Sequence, residues 1–213
     1  GHNLIITDKN LKSLTNLHKE LFEKFNNPKI IFEKLDISNN KEIKILISKL
    51  EKRNIIVDVL VNNAMIDTKF ENNSKNKFKG RFEDFSINRW EEEIKVGLTG
   101  AMLCAKNFGT QMVRFKTKGI ILNIASDLSV IAPNQEIYKT KKSLDKNQPV
   151  KPVTYSVIKH GLIGLTKYLA TYWPQYIRCN AISPGSVKQN QPKYMINRLK
   201  KLIPLNRLAH EYE

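Results

Sequence analysis

The sequence predicts an α/β fold built on a doubly wound parallel sheet with flanking helices, and two observations carry that expectation. Short β-branched apolar runs occupy residues 4–7, 30–35, 55–61, 120–124 and 177–182. They are too short for helices and too apolar for half-exposed strands, which suits parallel strands covered on both faces. Between them lie stretches with apolar residues at helical spacing, and strands alternating with helices build such a sheet.

In chain order, the first run ends at Asp8 and is followed by a helical pattern of Leu11, Leu14, Leu17, Leu21 and Phe25. The second run closes at Asp36-Ile37 and leads to Ile43, Leu46, Ile47 and Leu50 at helical spacing. The third runs into Asn62-Asn63-Ala64, after which residues 67–81 are rich in Asn, Lys and Ser. One helix is expected over residues 90–113. The fourth run delivers Ala125-Ser126, and a polar stretch over 127–152 separates it from Tyr155. From there Val157, Ile158, Leu162, Leu165, Leu169 and Trp173 recur at helical spacing, Gly161 and Gly164 allow close packing, and Pro174 ends the helix. The fifth run continues into Ser183-Pro184-Gly185.

Tyr155 and Lys159, four residues apart, share one face of that last helix. An ammonium ~4 Å from a phenol, at an effective dielectric of ~20, favours the phenolate by roughly 4 kcal/mol. Such a pair is suited to proton transfer near neutral pH. Tyr138 and Lys142 have the same spacing, but the segment from Ile137 to Lys142 has no helical apolar stripe and leads into a polar stretch ending at Pro149 and Pro152. Tyr138 is therefore expected in a loop.

Four segments in order resemble the short-chain dehydrogenase/reductase family over essentially the whole chain: Val59 to Ala64, Ile120 to Ser126, Tyr155 to Lys159, and Ile182 to Gly185. Met65 stands where the family's Asn-Asn-Ala-Gly motif has its glycine. The resemblance implies a Rossmann-like fold and a nicotinamide-dependent oxidoreductase acting on a small alcohol or ketone. Tyr155 would exchange a proton with the substrate oxygen, Ser126 would hydrogen-bond the same oxygen, and Lys159 would hold the cofactor ribose. It also implies cofactor contacts at Asp8, Asp36, Ile37, Asn62, Asn63, Ala64, Pro184, Gly185 and Val187, with Gln189 standing where the family often has Thr.

Asp8 at the end of the second family strand would accept the adenosine ribose hydroxyls and repel a 2′-phosphate, so NAD is expected, with NADP possible. Asp8 equally suits an N-cap for a helix starting at Lys9 or Asn10, and Asp36 a strand-end cap. Gly97 stands where the family has an Asn of the proton relay. Thr99 or a water would substitute for it, or the protein is a non-catalytic dehydrogenase-like binding or regulatory relative.

The family's first strand, its glycine-rich turn and its last helix and strand have no counterpart here, so a single partial domain over residues 1–213, incomplete at both ends, is expected. The missing first strand would lie between the strands at residues 4 and 55, which implies poor stability of the isolated 213-residue chain. Segments 67–81 and 127–152 read as insertions at the carboxyl ends of strands. They either shape the substrate pocket as a lid or are tolerated surface loops. Residues 123–133 and 149–155 are similar to bacterial members linked to flagellin or surface-polysaccharide sugar modification, which implies a sugar or sugar-nucleotide substrate.

With 36 Lys+Arg against 20 Asp+Glu the formal charge is +16, yet the lysines are dispersed, without a basic block, a zinc spacing or an aromatic-basic motif. No nucleic-acid partner is expected. The two cysteines, Cys104 in a helix and Cys179 in a strand, read as reduced core residues, with no metal site. No apolar run approaches membrane-spanning length, and a cytoplasmic enzyme is expected. The resemblance implies a homodimer or homotetramer pairing the helices at 90–115 and 153–173. Gly100, Ala101, Gly109, Gly161 and Gly164 either permit that approach or pack within one subunit.

Overall fold

The computed structural model describes residues 3–25, 30–66, 80–140 and 148–213. Five strands, β1 (Leu4–Asp8), β2 (Ile30–Lys34), β3 (Val59–Asn62), β4 (Gly119–Ile124) and β5 (Ile177–Ile182), alternate with helices. The helices are α1 (Leu11–Phe25), α2 (Asn40–Glu51), α3 (Ile87–Ile94), α4 (Ala101–Phe115), α5 (Val153–Tyr172) and α6 (Lys193–Lys200). Every strand pair is parallel, β1 with β2 and, separately, β3-β4-β5. The expected parallel α/β architecture is present, with β1 and β3 not hydrogen-bonded to each other among the described residues.

The 55–61 run is only half a strand. Pairing begins at Val59, opposite Ile120. The amides before it have other partners: Ile55 donates to Leu50 O at 3.0 Å and Val57 to the Gln111 side chain at 3.3 Å. Ile55 and Val57 are apolar because they pack on the core beneath α2 and α4. Leu60 points into that core, whereas its alternating neighbours Val59 and Val61 are each 51% exposed.

The expected helix over 90–113 is interrupted by a π-helical turn, Lys95–Gly100, between α3 and α4. Such turns widen a helix by one residue and occur often at functional sites. Helix α6 was not anticipated; its first turn is seated by Met195, which is buried.

Core packing follows the helical periodicity. Ile43, Leu46 and Leu50 of α2 meet Cys104 and Phe108 of α4 on one side of the sheet. Met112, Ile121, Leu169 and Ile177 join α4, β4, α5 and β5 in a second cluster. The small residues on the long helices mostly serve this packing. A Cβ at Gly100 would meet Ile37 Cδ1 at 2.7 Å, one at Gly109 Trp173 at 2.5 Å, and one at Gly161 Leu98 at 2.9 Å. Ala101 is buried against Ile158 and Leu162, and only Gly164 faces open space.

Candidate active site

The candidate residues gather at the carboxyl ends of the strands, where open α/β sheets bind ligands. Asp8 ends β1, Asp36 and Ile37 follow β2, Asn62 ends β3, Ser126 lies two residues past β4, and Pro184 lies two past β5. The two sheets meet at one helical turn. Ile37 fills the space beside Gly100, and the Asn62 amide donates to the next carbonyl, Ala101 O, at 3.3 Å.

Helix α5 brings the proposed chemistry to that edge. Lys159, buried, donates from Nζ to Ile124 O at 2.7 Å, which ties the helix to the end of β4 two residues before Ser126. Its ammonium lies 5.7 Å from the centre of the Tyr155 ring. Ser126 is buried and caps a 3-10 turn, Asp127–Ser129, that packs against α5. Its Oγ accepts from Leu128 N at 3.2 Å and donates to Asp127 Oδ1 at 2.8 Å. A substrate oxygen would have to draw that hydroxyl proton away from Asp127. Asp127 N in turn donates to Pro184 O at 3.0 Å, so the loops after β4 and β5 are locked together.

Tyr138 ends a 3-10 turn, Gln135–Tyr138, outside any α-helix, and Lys142 lies outside the described residues. Sequence reasoning missed a second cation on Tyr155: Lys151 Nζ lies 3.6 Å from the ring centre. The signal was legible as Lys151, Tyr155 and Lys159 at successive spacings of four, but Lys151 precedes α5, so helical geometry alone does not place it.

An ion pair with a buried carboxylate also escaped notice. Glu93 accepts from Arg89 Nε at 2.6 Å and from the Thr154 hydroxyl, fixing α3 against the first turn of α5 beside Tyr155. Asn62 and Asn123 serve the framework: the Asn62 amide donates to Asn123 Oδ1 at 2.9 Å, and Asn123 donates to Thr166 Oγ1 at 2.8 Å. The side chain of Asn62 thus ties β3 to β4 and α4, and Asn123 carries the link on to α5, while Asn63 and Ala64 are exposed at the strand end.

On the adenosine side, Asp8 is exposed and its Oδ1 accepts from Asn10 N at 2.7 Å. The helix cap itself is Asn10, whose Oδ1 accepts from Ser13 N at 3.2 Å, and α1 begins at Leu11, later than expected. Asp36 Oδ1 accepts from both the hydroxyl (2.7 Å) and the N–H (2.9 Å) of Ser38, and the hydroxyl bond above all holds this carboxyl below its usual range. The strand-end cap expected of Asp36 is therefore present.

On the nicotinamide side, Pro184 and Gly185 are exposed, and a Cβ at Gly185 would meet nothing nearer than Asp127 Oδ2 at 3.9 Å. Val187 bridges Ala209, and its carbonyl accepts from Gln191 Nε2 at 2.7 Å. These residues fit the two ends of a dinucleotide, with acids at the strand ends for ribose or adenine and an open Pro-Gly turn for the nicotinamide.

The segment 127–152 is internally bonded where it is described. Gln148 exchanges hydrogen bonds with the Thr140 backbone, and Gln135 does so with the Lys151 backbone. Residues 67–79 and 141–147 of the two expected insertions lie outside the described residues. Among the described residues no cluster of His, Cys, Asp or Glu could hold a metal ion, and no helix is long and apolar enough to cross a membrane.

Comparisons with known proteins bear on the family and the fold. Residues 1–196 match the family model of the short chain dehydrogenases. An uncharacterized oxidoreductase of Thermotoga maritima is 30% identical over 183 residues, 85% of this chain and 60% of that protein. Glucose 1-dehydrogenase 2 of Bacillus subtilis is 30% identical over 165 residues, 77% of this chain and 54% of that protein. The crystal structure of a short chain dehydrogenase from Leptospira borgpetersenii with bound NAD+ superposes with a TM-score of 0.76 at 28% identity, covering 97% of this chain and 80% of that one. The chain therefore belongs to the short-chain dehydrogenase/reductase family, and its fold is the family's Rossmann-like α/β fold. It spans 55 to 61% of the length of the first three curated relatives.

Proposed function

We propose that the protein is a nicotinamide-dependent oxidoreductase that interconverts an alcohol and a ketone, with Tyr155 as the acid/base. The observation that carries this reading is the Lys159 bond to Ile124 O, which sets Tyr155 and Lys159 of α5 against the turn opened by Ser126. The cofactor would supply the hydride acceptor or donor. Asp8 and Asp36 would hold its adenosine end, Asn63 and Ala64 would line its path, and Pro184, Gly185 and Val187 would flank its nicotinamide. Ser126 would orient the substrate oxygen, Tyr155 would take or return its proton, and Lys159 would favour the phenolate and reach the ribose hydroxyls.

NAD is the expected cofactor, by the charge of Asp8; the Leptospira borgpetersenii relative has NAD+ bound, and an Alternaria alternata relative is an NADP-dependent mannitol dehydrogenase. A sugar or sugar-nucleotide hydroxyl is the proposed substrate, as in flagellin or surface-polysaccharide modification. The resemblance of residues 123–133 and 149–155 supports it, as do the mannitol and glucose dehydrogenases among the relatives. A cytoplasmic homodimer or homotetramer pairing α4 and α5 is the proposed assembly, supported by exposed Tyr168 and Tyr172 on α5 and the open space at Gly164. Sedimentation at micromolar concentration tests it, and a monomer would refute it.

Replacing Tyr155 by Phe in the complete polypeptide should lower turnover of NAD with D-mannitol, D-glucose or a UDP-sugar by roughly 10² to 10⁴, the usual worth of general acid/base catalysis. Full activity in that variant, with loss in Tyr138→Phe, would reject the assignment. The second reading, a binding protein without turnover, is favoured by Gly97. A wild type that binds NAD but reduces it with no alcohol in the panel would support that reading.

A further inference from the structure

Two cations face the Tyr155 ring, and the nearer one is the residue that the helix does not place. Lys151 Nζ lies 3.6 Å from the ring centre, inside the range of a cation–π contact, whereas Lys159 at 5.7 Å is at its limit. Lys151 belongs to the extended lead-in to α5, so its position depends on how that backbone is held. Gln135 holds it from both sides: Lys151 N donates to Gln135 Oε1 at 2.8 Å, and Gln135 Nε2 donates to Lys151 O at 3.4 Å.

Gln135 is itself anchored. It opens the 3-10 turn Gln135–Tyr138, and Arg198 of α6 donates to the carbonyls of Glu136, Ile137 and Lys139 in and just after that turn. Ile137, within the turn, is buried. The turn at 135–138 is thereby braced between α6 and the lead-in to Tyr155, with one side chain bridging each gap.

We propose that Lys151 is a positioning residue for Tyr155, held over the phenol ring by Gln135 and, through the 3-10 turn, by Arg198 of α6. The inference rests on the reading of Tyr155 as the acid/base. Its ring is half-buried, and Lys151 covers one face of it. A fixed ring plane fixes where the phenol oxygen sits relative to Ser126, and misplacement of a reacting group by about 1 Å can cost on the order of 10²-fold in rate. The same cation favours the phenolate whenever the proton has left.

The test uses the complete polypeptide with NAD and NADP, and with D-mannitol, D-glucose and a UDP-sugar as probes. Lys151→Met should lower kcat by about tenfold or more while the KM for the nucleotide changes far less, because the contact acts on the reacting group. Lys151→Arg should recover most of the loss, since a guanidinium also stacks on an aromatic face. Gln135→Ala should shift kcat in the same direction by a smaller factor. In a Tyr155→Phe background, Lys151→Met should cost nothing further, whereas a merely structural role would cost the same factor in both backgrounds.

A wild-type kcat in Lys151→Met, or independent losses in the double variant, would overturn the inference and leave the acid/base assignment standing. Full activity in Tyr155→Phe would instead overturn the assignment. A second arm needs no substrate. In protein labelled with [13C]tyrosine, the Tyr155 ring signal is identified by its loss in Tyr155→Phe. It should move in Lys151→Met and return towards its original position in Lys151→Arg; an unmoved signal refutes the stack whether or not any probe is turned over.

Discussion

Ile158 occupies the space that any side chain at Gly97 would need. A Cβ on Gly97 would lie 2.9 Å from both Cδ1 and Cγ2 of Ile158, which is fully buried one residue before Lys159. The glycine and the isoleucine are therefore a matched pair, and the space beside position 97 is filled by hydrocarbon from α5. Any proton path to Lys159 must run elsewhere than through a side chain at position 97.

Gly97→Asn should accordingly destabilise the protein by about 1–3 kcal/mol, the usual cost of overpacking. Better helix propensity of Asn returns only a few tenths of a kcal/mol. Ile158→Ala alone should cost roughly 2–5 kcal/mol through the cavity it leaves. The double variant should lose less than the sum, because each change relieves the other. Urea unfolding of the three variants checks this, and strictly additive losses would show that the two positions do not compete for space.

The pair of half-buried Arg89 and buried Glu93 predicts a different asymmetry. The Glu93 side chain is 4% exposed, and both its carboxylate oxygens have partners, one in α3 and one, Thr154, in α5. Arg89→Met strands a buried carboxylate and should cost about 3–5 kcal/mol. Glu93→Gln keeps the shape and removes the charge, so its cost should be smaller. Thr154→Val should cost about 1–3 kcal/mol by leaving one oxygen unsatisfied, and should slow turnover through the adjacent Tyr155. Denaturant midpoints and kcat measured on the same variants decide this.

What the sequence made legible was periodic or local. Strands at residues 4, 30, 120 and 177 and the α5 stripe stand out because a buried strand and an amphipathic helix each leave a repeat in the chain. The strand at 55–61 was overextended because Ile55 and Val57 are apolar for the core and not for the sheet. The π turn over Lys95–Gly100 left no break in periodicity strong enough to divide residues 90–113. Ser126, Tyr155 and Lys159 are proposed from motif and order, and the fold brings them to one edge of the sheet. The Glu93–Thr154 contact, the Arg198–Glu136 bond and the Gln135–Lys151 bonds join residues 16 to 62 positions apart, and only the folded chain brings them together.

Both cysteines should be inert in the native protein. Burial pushes the Cys104 thiol up to about 12 and the Cys179 thiol up to about 11, so neither supplies thiolate near neutrality. An aromatic disulfide reagent at pH 8 should titrate no thiol in the folded chain and two after unfolding in guanidinium. Linkage gives the sign of the pH effect. The unfolded thiols ionise from their ordinary value near 9.0 while the folded ones stay protonated, so the unfolded state binds fewer protons there. The stability these thiols contribute is whole below pH 9 and declines from about pH 9 to about pH 12. Replacing both by Ala should flatten that part of the stability profile, at the cost of a small cavity.

The proposed role of Asp8 in cofactor choice can be separated from its structural one. One oxygen of the exposed carboxylate takes the Asn10 amide at the start of α1, a bond that an amide oxygen can also accept. The charge is what a 2′-phosphate would meet, with Lys9 next to it offsetting part of the repulsion. Asp8→Asn therefore keeps the turn and removes only the charge. The wild type should prefer NAD, and Asp8→Asn should lower the ratio of kcat/KM for NAD over NADP by about tenfold, equivalent to ~1.4 kcal/mol. Asp8→Ala should show the same loss of preference together with a lower melting temperature, since the turn bond goes with it. A wild type that already uses NADP better, or an Asp8→Asn ratio equal to the wild type, would move cofactor selection away from this carboxylate.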